Sequence, residues 1–192
     1  MAIRSLELKK FLYENIEPLE DAIYGKRYRA AARLTDGTYL PCVVFQSQKR
    51  QVELALRRFK QLVSSQREYK HVVASFVSKG SRLADWTIES VERSTYAWPV
   101  DLLRTIHGET AMSWTSFVTE MRDGSFHSFG TTFLIEFFDL PDGYSCDDIK
   151  NIQSGMVYSP ARGLTPYSLD ALKDARVYRE RPFFTCYLDY LE

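Results

Sequence analysis

Residues 27–45, with the sequence RYRAAARLTDGTYLPCVVF, decide the fold. The first arm alternates apolar residues on one face with arginines on the other, as a strand with a two-residue period does. Asp36-Gly37 lies at the centre and suits a type I′ turn, which needs positive φ at both central residues. Pro41 in the return arm predicts an edge strand, because proline donates no ladder hydrogen bond. The stretch therefore predicts a β-hairpin.

A second hairpin is predicted over residues 111–138, with its turn at Asp123-Gly124. In the helix predicted over residues 49–66, Val52 and Leu56 belong to the inward apolar stripe, whereas Leu54 falls outside it. The other predicted helices cover residues 4–16, 19–24, 99–106 and 169–175. The other predicted strands cover residues 70–78, 86–93 and 183–191.

This order of elements predicts an α+β protein. We expect one domain over residues 1–192, with a mainly antiparallel sheet built from two β-hairpins and helices packed on one face. A division into two helix-plus-hairpin halves, about residues 1–80 and 81–192, is the alternative.

The composition is that of an ordinary globular protein, with 45% hydrophobic and 26% charged residues. The three cysteines are widely spaced and form no CxxC pair, which argues against a disulfide framework or a zinc knuckle. The first residues lack the apolar core of a secretory signal. The densest apolar stretch, residues 133–138, is too short and too charged to cross a bilayer. We therefore expect a cytoplasmic protein that uses no membrane, metal or cofactor.

The charges are unevenly distributed, although the net charge is zero. Residues 26–71 contain eleven Lys and Arg against three Asp and Glu, whereas residues 85–148 contain three against twelve. The two segments either neutralise each other within the fold or present charged faces to a partner.

The basic segment contains candidate ligands for phosphate, because arginine forks match phosphate geometry. Tyr39 and Tyr69 could supply stacking surfaces beside it. If strand and helix turn the same way, these cations would form one continuous groove. The candidate binding residues are Arg27, Arg29, Arg33, Lys49, Arg50, Arg57 and Lys60.

Catalytic motifs are missing from the sequence: it has no glycine-rich nucleotide loop, no HExxH and no GxSxG. His107 and Glu109 could form an acid–base pair near a helix end, and His127 could face a cleft. A histidine in a last helical turn is also explained by the helix dipole alone.

Three functions follow from these observations. The first is a non-catalytic interaction or regulatory module that binds a protein partner through charged surfaces. The second is RNA or DNA binding by residues 26–71. The third is an enzyme with an unfamiliar acid–base site.

Overall fold

The computed structural model describes residues 2–22, 24–62, 81–132, 135–189 and 191. The chain forms two compact units, one of residues 1–94 and 183–192 and the other of residues 95–182. The α+β class is confirmed. The predicted single domain over residues 1–192 stays a prediction, since compact units need not unfold separately.

The first unit contains a mixed six-stranded sheet. Its strand order is β1-β2-β3-β12-β4, and β5 pairs with β2 beside β1. The strand β12 runs parallel to both β3 and β4, whereas the remaining pairs are antiparallel. The elements are α1 (Ser5–Asn15), β1 (Leu19–Asp21), β2 (Gly25–Leu34), β3 (Tyr39–Ser47), α2 (Gln48–Leu62), β4 (Arg82–Leu83), β5 (Ile88–Arg93) and β12 (Phe184–Leu188).

The core of this unit lies between α1 and one face of the sheet. Leu8 and Leu12 of α1 are fully buried, four residues apart on one helical face. They pack with alternate residues of β2 and β3, among them Tyr28, Ala30 and Phe45. The period of the first hairpin arm therefore places its apolar face as predicted.

The second unit contains a four-stranded sheet, in the order β11-β7-β6-β8, and a two-stranded sheet of β9 and β10. The strand β11 pairs parallel with β7. Trp98 is fully buried against an aromatic core, with its ring 5.0 Å from Phe129 and 6.1 Å from Phe117. The elements are α3 (Val100–Arg104), β6 (Thr115–Met121), β7 (Phe126–Thr131), β8 (Ile149–Ser154), β9 (Met156–Ser159), β10 (Gly163–Pro166), α4 (Leu169–Lys173) and β11 (Val177–Arg179).

Both predicted hairpins are present, with turns at Gly37 and Gly124, whose φ angles are +89° and +87°. They lie in separate sheets, however, and each sheet includes parallel pairs. The expectation of a mainly antiparallel sheet built from both hairpins is therefore confirmed only in part: most strand pairs are antiparallel, but the two hairpins do not share one sheet. Parallel partners come from distant parts of the chain, so no turn signal announces them.

Three local predictions need correction. The helix predicted over residues 19–24 does not begin at Leu19, because Leu19–Asp21 is a strand that pairs with the start of β2. Pro41 is not in an edge strand: β3 pairs on both sides, and the proline occupies an irregular step of its ladder with β2. Leu54 of α2 is 3% exposed and Leu56 is 41% exposed, so the helix is rotated relative to the predicted stripe. The strand predicted over residues 70–78 lies outside the described residues.

Candidate functional site

Two neighbouring cavities lie in the first unit where its parallel strands end. The strands β3, β12 and β4 all point their carboxyl ends to the same side, because β12 is parallel to both neighbours. Ligands of open α/β sheets bind at such an edge, where backbone ends and loops leave a crevice. Ser47 and Arg50 line the first cavity, and Gln48 lines the second, so the start of α2 borders both.

The first cavity has a volume of about 570 Å³ and a mainly cationic rim. Lys26 comes from β2, whereas Lys49 and Arg50 come from the first turn of α2. Arg50 lies beside Gly25, whose φ is +74°: a Cβ built there would lie 3.5 Å from Nε of Arg50, an ordinary contact distance. The Arg50 side chain therefore passes close over bare backbone. Ser47 Oγ accepts the Arg50 N–H at 3.4 Å and helps to begin the helix.

The second cavity, of about 380 Å³, is lined by aromatic rings and polar groups. The guanidinium of Arg82 lies 5.1 Å from the Tyr187 ring, and its Nη2 donates to Oε1 of Gln48 at 3.1 Å. Burial raises the pKa of Tyr187 above its ordinary value. This hydroxyl therefore stays protonated and available as a donor throughout the neutral range.

Trp86 projects from the rim of the second cavity with 75% of its surface exposed. It belongs to a single helical turn, Asp85–Thr87. The turn is held from within, since Thr87 Oγ1 donates to the Ala84 carbonyl at 2.6 Å and the Trp86 N–H donates to Asp85 Oδ1 at 3.0 Å. The indole is thus presented on a fixed backbone.

Charges of both signs surround the two cavities. They comprise four cations and four carboxylates, so the edge is zwitterionic as a whole. The cations are Lys26, Lys49, Arg50 and Arg82, and the acids are Glu20, Glu53, Asp85 and Asp189. The first cavity has more cations than carboxylates, and the second has more carboxylates than cations.

The predicted basic groove is not continuous. Arg27 and Arg29 are only 9% and 4% exposed, so these two candidate binding residues do not form part of an exposed basic groove. Both faces of β2 are buried in this part of the strand. The alternation of apolar residues and arginines therefore does not correspond here to one buried and one exposed face. The Arg27 guanidinium lies 5.6 Å from the Tyr24 ring.

The other predicted cations lie on the surface at separate places. Arg33 is exposed and stacks 5.5 Å from the Tyr39 ring near the hairpin turn. Residue 39 begins β3 and residue 47 ends it, so this pair and the cavities are separated by roughly 25 Å of strand. Arg57 and Lys60 are exposed further along α2. Tyr69, the second predicted stacking residue, lies outside the described residues.

The predicted acid–base residues in the second unit have different partners. His107 Nδ1 lies 2.7 Å from the Thr105 carbonyl oxygen, and the backbone N–H of His107 donates to Ser154 Oγ. Glu109 accepts the backbone N–H of Ser113. Both are exposed residues that stabilise the loop after α3.

His127 belongs to a polar cluster beside the second hairpin turn. Ser125 Oγ lies 3.3 Å from Nε2 of His127, 2.8 Å from Asp123 Oδ1 and 3.0 Å from the Tyr144 hydroxyl. The Tyr144 hydroxyl donates to Asp123 Oδ2 at 2.6 Å, and this bond is the main reason that the pKa of Asp123 falls to about 2. Burial lowers the pKa of His127.

The hydrogen bonds in this cluster do not suit a serine nucleophile. The single Ser125 hydroxyl proton points to the nearer, charged Asp123 oxygen, so His127 Nε2 acts as the donor to Ser125 Oγ. A general base would need the opposite direction. The cluster therefore fixes the turn, in which Asp123 Oδ1 also accepts the Ser125 N–H at 2.9 Å.

Sequence reasoning missed Arg82 and Trp86, which lie in and just after β4, and Tyr187 near the end of β12. An aromatic residue between an aspartate and a β-branched pair carries no pattern that distinguishes an exposed ring from a buried one. One signal was available: Asp85-Trp86 lies in the connection between β4 and β5, and binding residues lie on such connections more often than within strands.

Comparison of the chain with protein-family models, with curated proteins and with solved structures yields no match. The described part of the chain contains no group of three His, Cys, Asp or Glu side chains that could hold a metal ion. Within the same residues, no helix combines the length and the apolar character that a membrane span requires.

Proposed function

We propose that the protein is a non-catalytic interaction module that binds a segment of a partner protein at the edge containing the two cavities. The observation that carries this proposal is the exposure of Trp86, 75%, beside a cavity lined by Arg82 and Tyr187. Tryptophan, tyrosine and arginine are the residues in which interface binding energy concentrates.

The rigidity of the Trp86 turn supports the same function. An anchor that is already ordered loses little conformational entropy on binding, and so more of its contact energy appears as affinity. The bonds from Thr87 and Trp86 within the turn supply this order.

The balance of charges favours a protein partner over a polynucleotide. Four carboxylates among four cations would repel a strand that carries a phosphate at every residue, whereas a peptide can match both signs. The burial of Arg27 and Arg29 removes two cations from the surface on which the nucleic-acid alternative depends. That alternative and the enzyme alternative both stay predictions.

The test is selection of random peptides displayed on phage against the immobilised full-length protein, followed by affinity measurements on the selected peptides. We expect Trp86→Ala to weaken binding by about 30-fold, the equivalent of a hot spot of about 2 kcal/mol. Met112 is 94% exposed in the second unit, so Met112→Ala is a matched truncation of an exposed apolar side chain and should leave affinity unchanged.

Circular dichroism of both variants shows whether each retains the fold. If no peptide is enriched, or if the selected peptides bind the folded Trp86→Ala variant as tightly as the parent, the proposed function is wrong. Salt-sensitive binding of oligonucleotides with higher affinity than any peptide would favour the nucleic-acid alternative instead.

A further inference from the structure

We infer that the first cavity binds a phosphomonoester, the phosphorylated side chain of a serine, threonine or tyrosine in the partner protein. This inference rests on the proposed function, because it names the chemical group that the partner places beside the Trp86 anchor. A phosphorylated side chain has a charge of about −1.5 to −2 and three acceptor oxygens at neutral pH. The cavity of about 570 Å³ is large enough for the group and part of its peptide.

Three cations reach this cavity from two elements. Lys26 comes from the start of β2, and Lys49 and Arg50 come from α2. Ammonium and guanidinium groups donate charge-assisted hydrogen bonds, which are about twice as strong as neutral ones. All three residues are exposed, so a ligand can approach them without displacing a packed side chain.

Arg50 lies in contact with the start of β2 at Gly25. A methyl group there would lie 3.5 Å from Nε and 3.7 Å from Cγ of Arg50, in ordinary contact with the side chain. The positive φ of +74° also makes any other residue strained at this position. The Arg50 side chain therefore lies beside the start of β2, and Arg50 and Lys26 line the same cavity.

The two acids that line the same cavity indicate one phosphate rather than a chain of them. Glu20 lies directly opposite Lys26 in the β1–β2 ladder, and Glu53 follows Arg50 by three residues on the same side of α2. Three cations against two carboxylates leave an excess of one, which suits an isolated phosphate with basic neighbours. A polynucleotide backbone needs a continuous basic track instead.

The test is titration of the ¹⁵N-labelled full chain with the peptide Arg-Ala-phosphoserine-Ala-Arg, its unphosphorylated form and oligothymidylate. We expect the phosphopeptide to shift the amides of Ser47, Lys49 and Arg50 saturably. The double variant Lys49→Ala/Arg50→Ala should weaken this binding at least tenfold, since two charge-assisted contacts are lost. The matched control Arg57→Ala/Lys60→Ala removes the same charge from the same helix outside this cavity and should change affinity less than twofold.

Any of the following results would overturn the inference. The phosphopeptide could cause no saturable shift, or it could bind the folded Lys49→Ala/Arg50→Ala variant as well as the parent. Oligothymidylate could bind more tightly than the phosphopeptide through the same two residues. If peptides whose binding depends on Trp86 bind equally well in phosphorylated and unphosphorylated form, the phosphate site is wrong and the proposed function stands. Phosphopeptide binding without any Trp86-dependent peptide would remove the proposed function instead.

Discussion

Gly130→Ala tests the packing of the second unit at one point, because Trp114 covers this glycine. A Cβ at residue 130 would lie 2.0 Å from Cζ2, 2.5 Å from Cη2 and 2.9 Å from Cε2 of the Trp114 ring. Carbon atoms in contact are about 3.5 Å apart, so the ring would have to retreat by roughly 1.5 Å. Gly130 has no positive φ, and the clash is thus the only strain that alanine would introduce.

The ring has little freedom to retreat. The backbone of Trp114 is held by its hydrogen bonds with Ala111 and Thr110, at 2.9 and 2.8 Å. The Arg179 guanidinium lies 4.4 Å from the ring centre, and Arg179 is the register partner of Gly130 across β11 and β7. Overpacking costs about 1–3 kcal/mol, and a disturbed cation–π contact adds about 0.5–1 kcal/mol.

We therefore expect Gly130→Ala to lower the free energy of unfolding by about 2–3 kcal/mol, or to lower Tm by about 4–12 °C in a chain of this size. Urea and thermal unfolding followed by near-ultraviolet circular dichroism measure both quantities. The second unit should account for the change, because Trp114 and Gly130 both belong to it.

The sign of the effect should reverse when the ring is removed. In a Trp114→Ala background, Gly130→Ala meets no ring and should stabilise the strand by about 0.5–1 kcal/mol, since glycine loses more backbone entropy on folding. The double-mutant cycle isolates the steric coupling between the two residues. A penalty that persists undiminished in this background, or a Gly130→Ala protein as stable as the parent, would refute the reasoning.

Three further predictions concern single groups. Tyr144→Phe should raise the pKa of Asp123 from about 2 toward 3.8 in a carboxyl NMR titration. Because the pKa is depressed in the folded state, the ionised Asp123 stabilises the fold above pH 3.8, and this stabilisation is lost as the pH falls through about 2. An unchanged titration midpoint in Tyr144→Phe would contradict the assigned cause. Ser168→Ala should cost about 1 kcal/mol of unfolding free energy, because Ser168 Oγ accepts the Ala171 N–H at 3.1 Å as the N-cap of α4; Ser168→Asp should restore it. Cys186 should react with a thiol reagent only after unfolding, since burial raises its pKa to about 12; rapid labelling of the native protein at neutral pH would contradict this.

The features that could be predicted from the sequence are those set by a few adjacent residues. Asp36-Gly37 and Asp123-Gly124 each mark a hairpin turn, in which the glycine adopts positive φ. The type I′ turn predicted at Asp36-Gly37 is wrong, because Asp36 does not have positive φ. Ser168 likewise begins α4 through its own hydroxyl. Such local signals do not depend on which segments pack against them, so these turns and this helix start can be predicted from the sequence alone.

The features that could not be predicted depend on distant partners. Leu19–Asp21 is a strand only because the start of β2 pairs with it, although Pro18 before it also suits a helix start. In α2, both Leu54 and Leu56 are apolar, so helical periodicity alone leaves the buried face undecided. The surface that the rest of the fold offers to the helix makes the choice.

The candidate site also depends on residues that are distant in the sequence. Linear charge counting treated residues 26–71 as one basic surface, yet β2 buries Arg27 and Arg29 and leaves Arg33 at the opposite end of the hairpin from Lys49. Lys26 meets Lys49 and Arg50 because the start of β2 pairs with the end of β3, just before α2. The parallel pairing of β12 with β3 and β4 adds Arg82 to the same edge, since it aligns strand ends at residues 47, 83 and 188. The same pairing brings acids from other segments to this edge. A chain whose charges are segregated in sequence thus presents both signs side by side at this edge, an arrangement that supports the proposed protein partner.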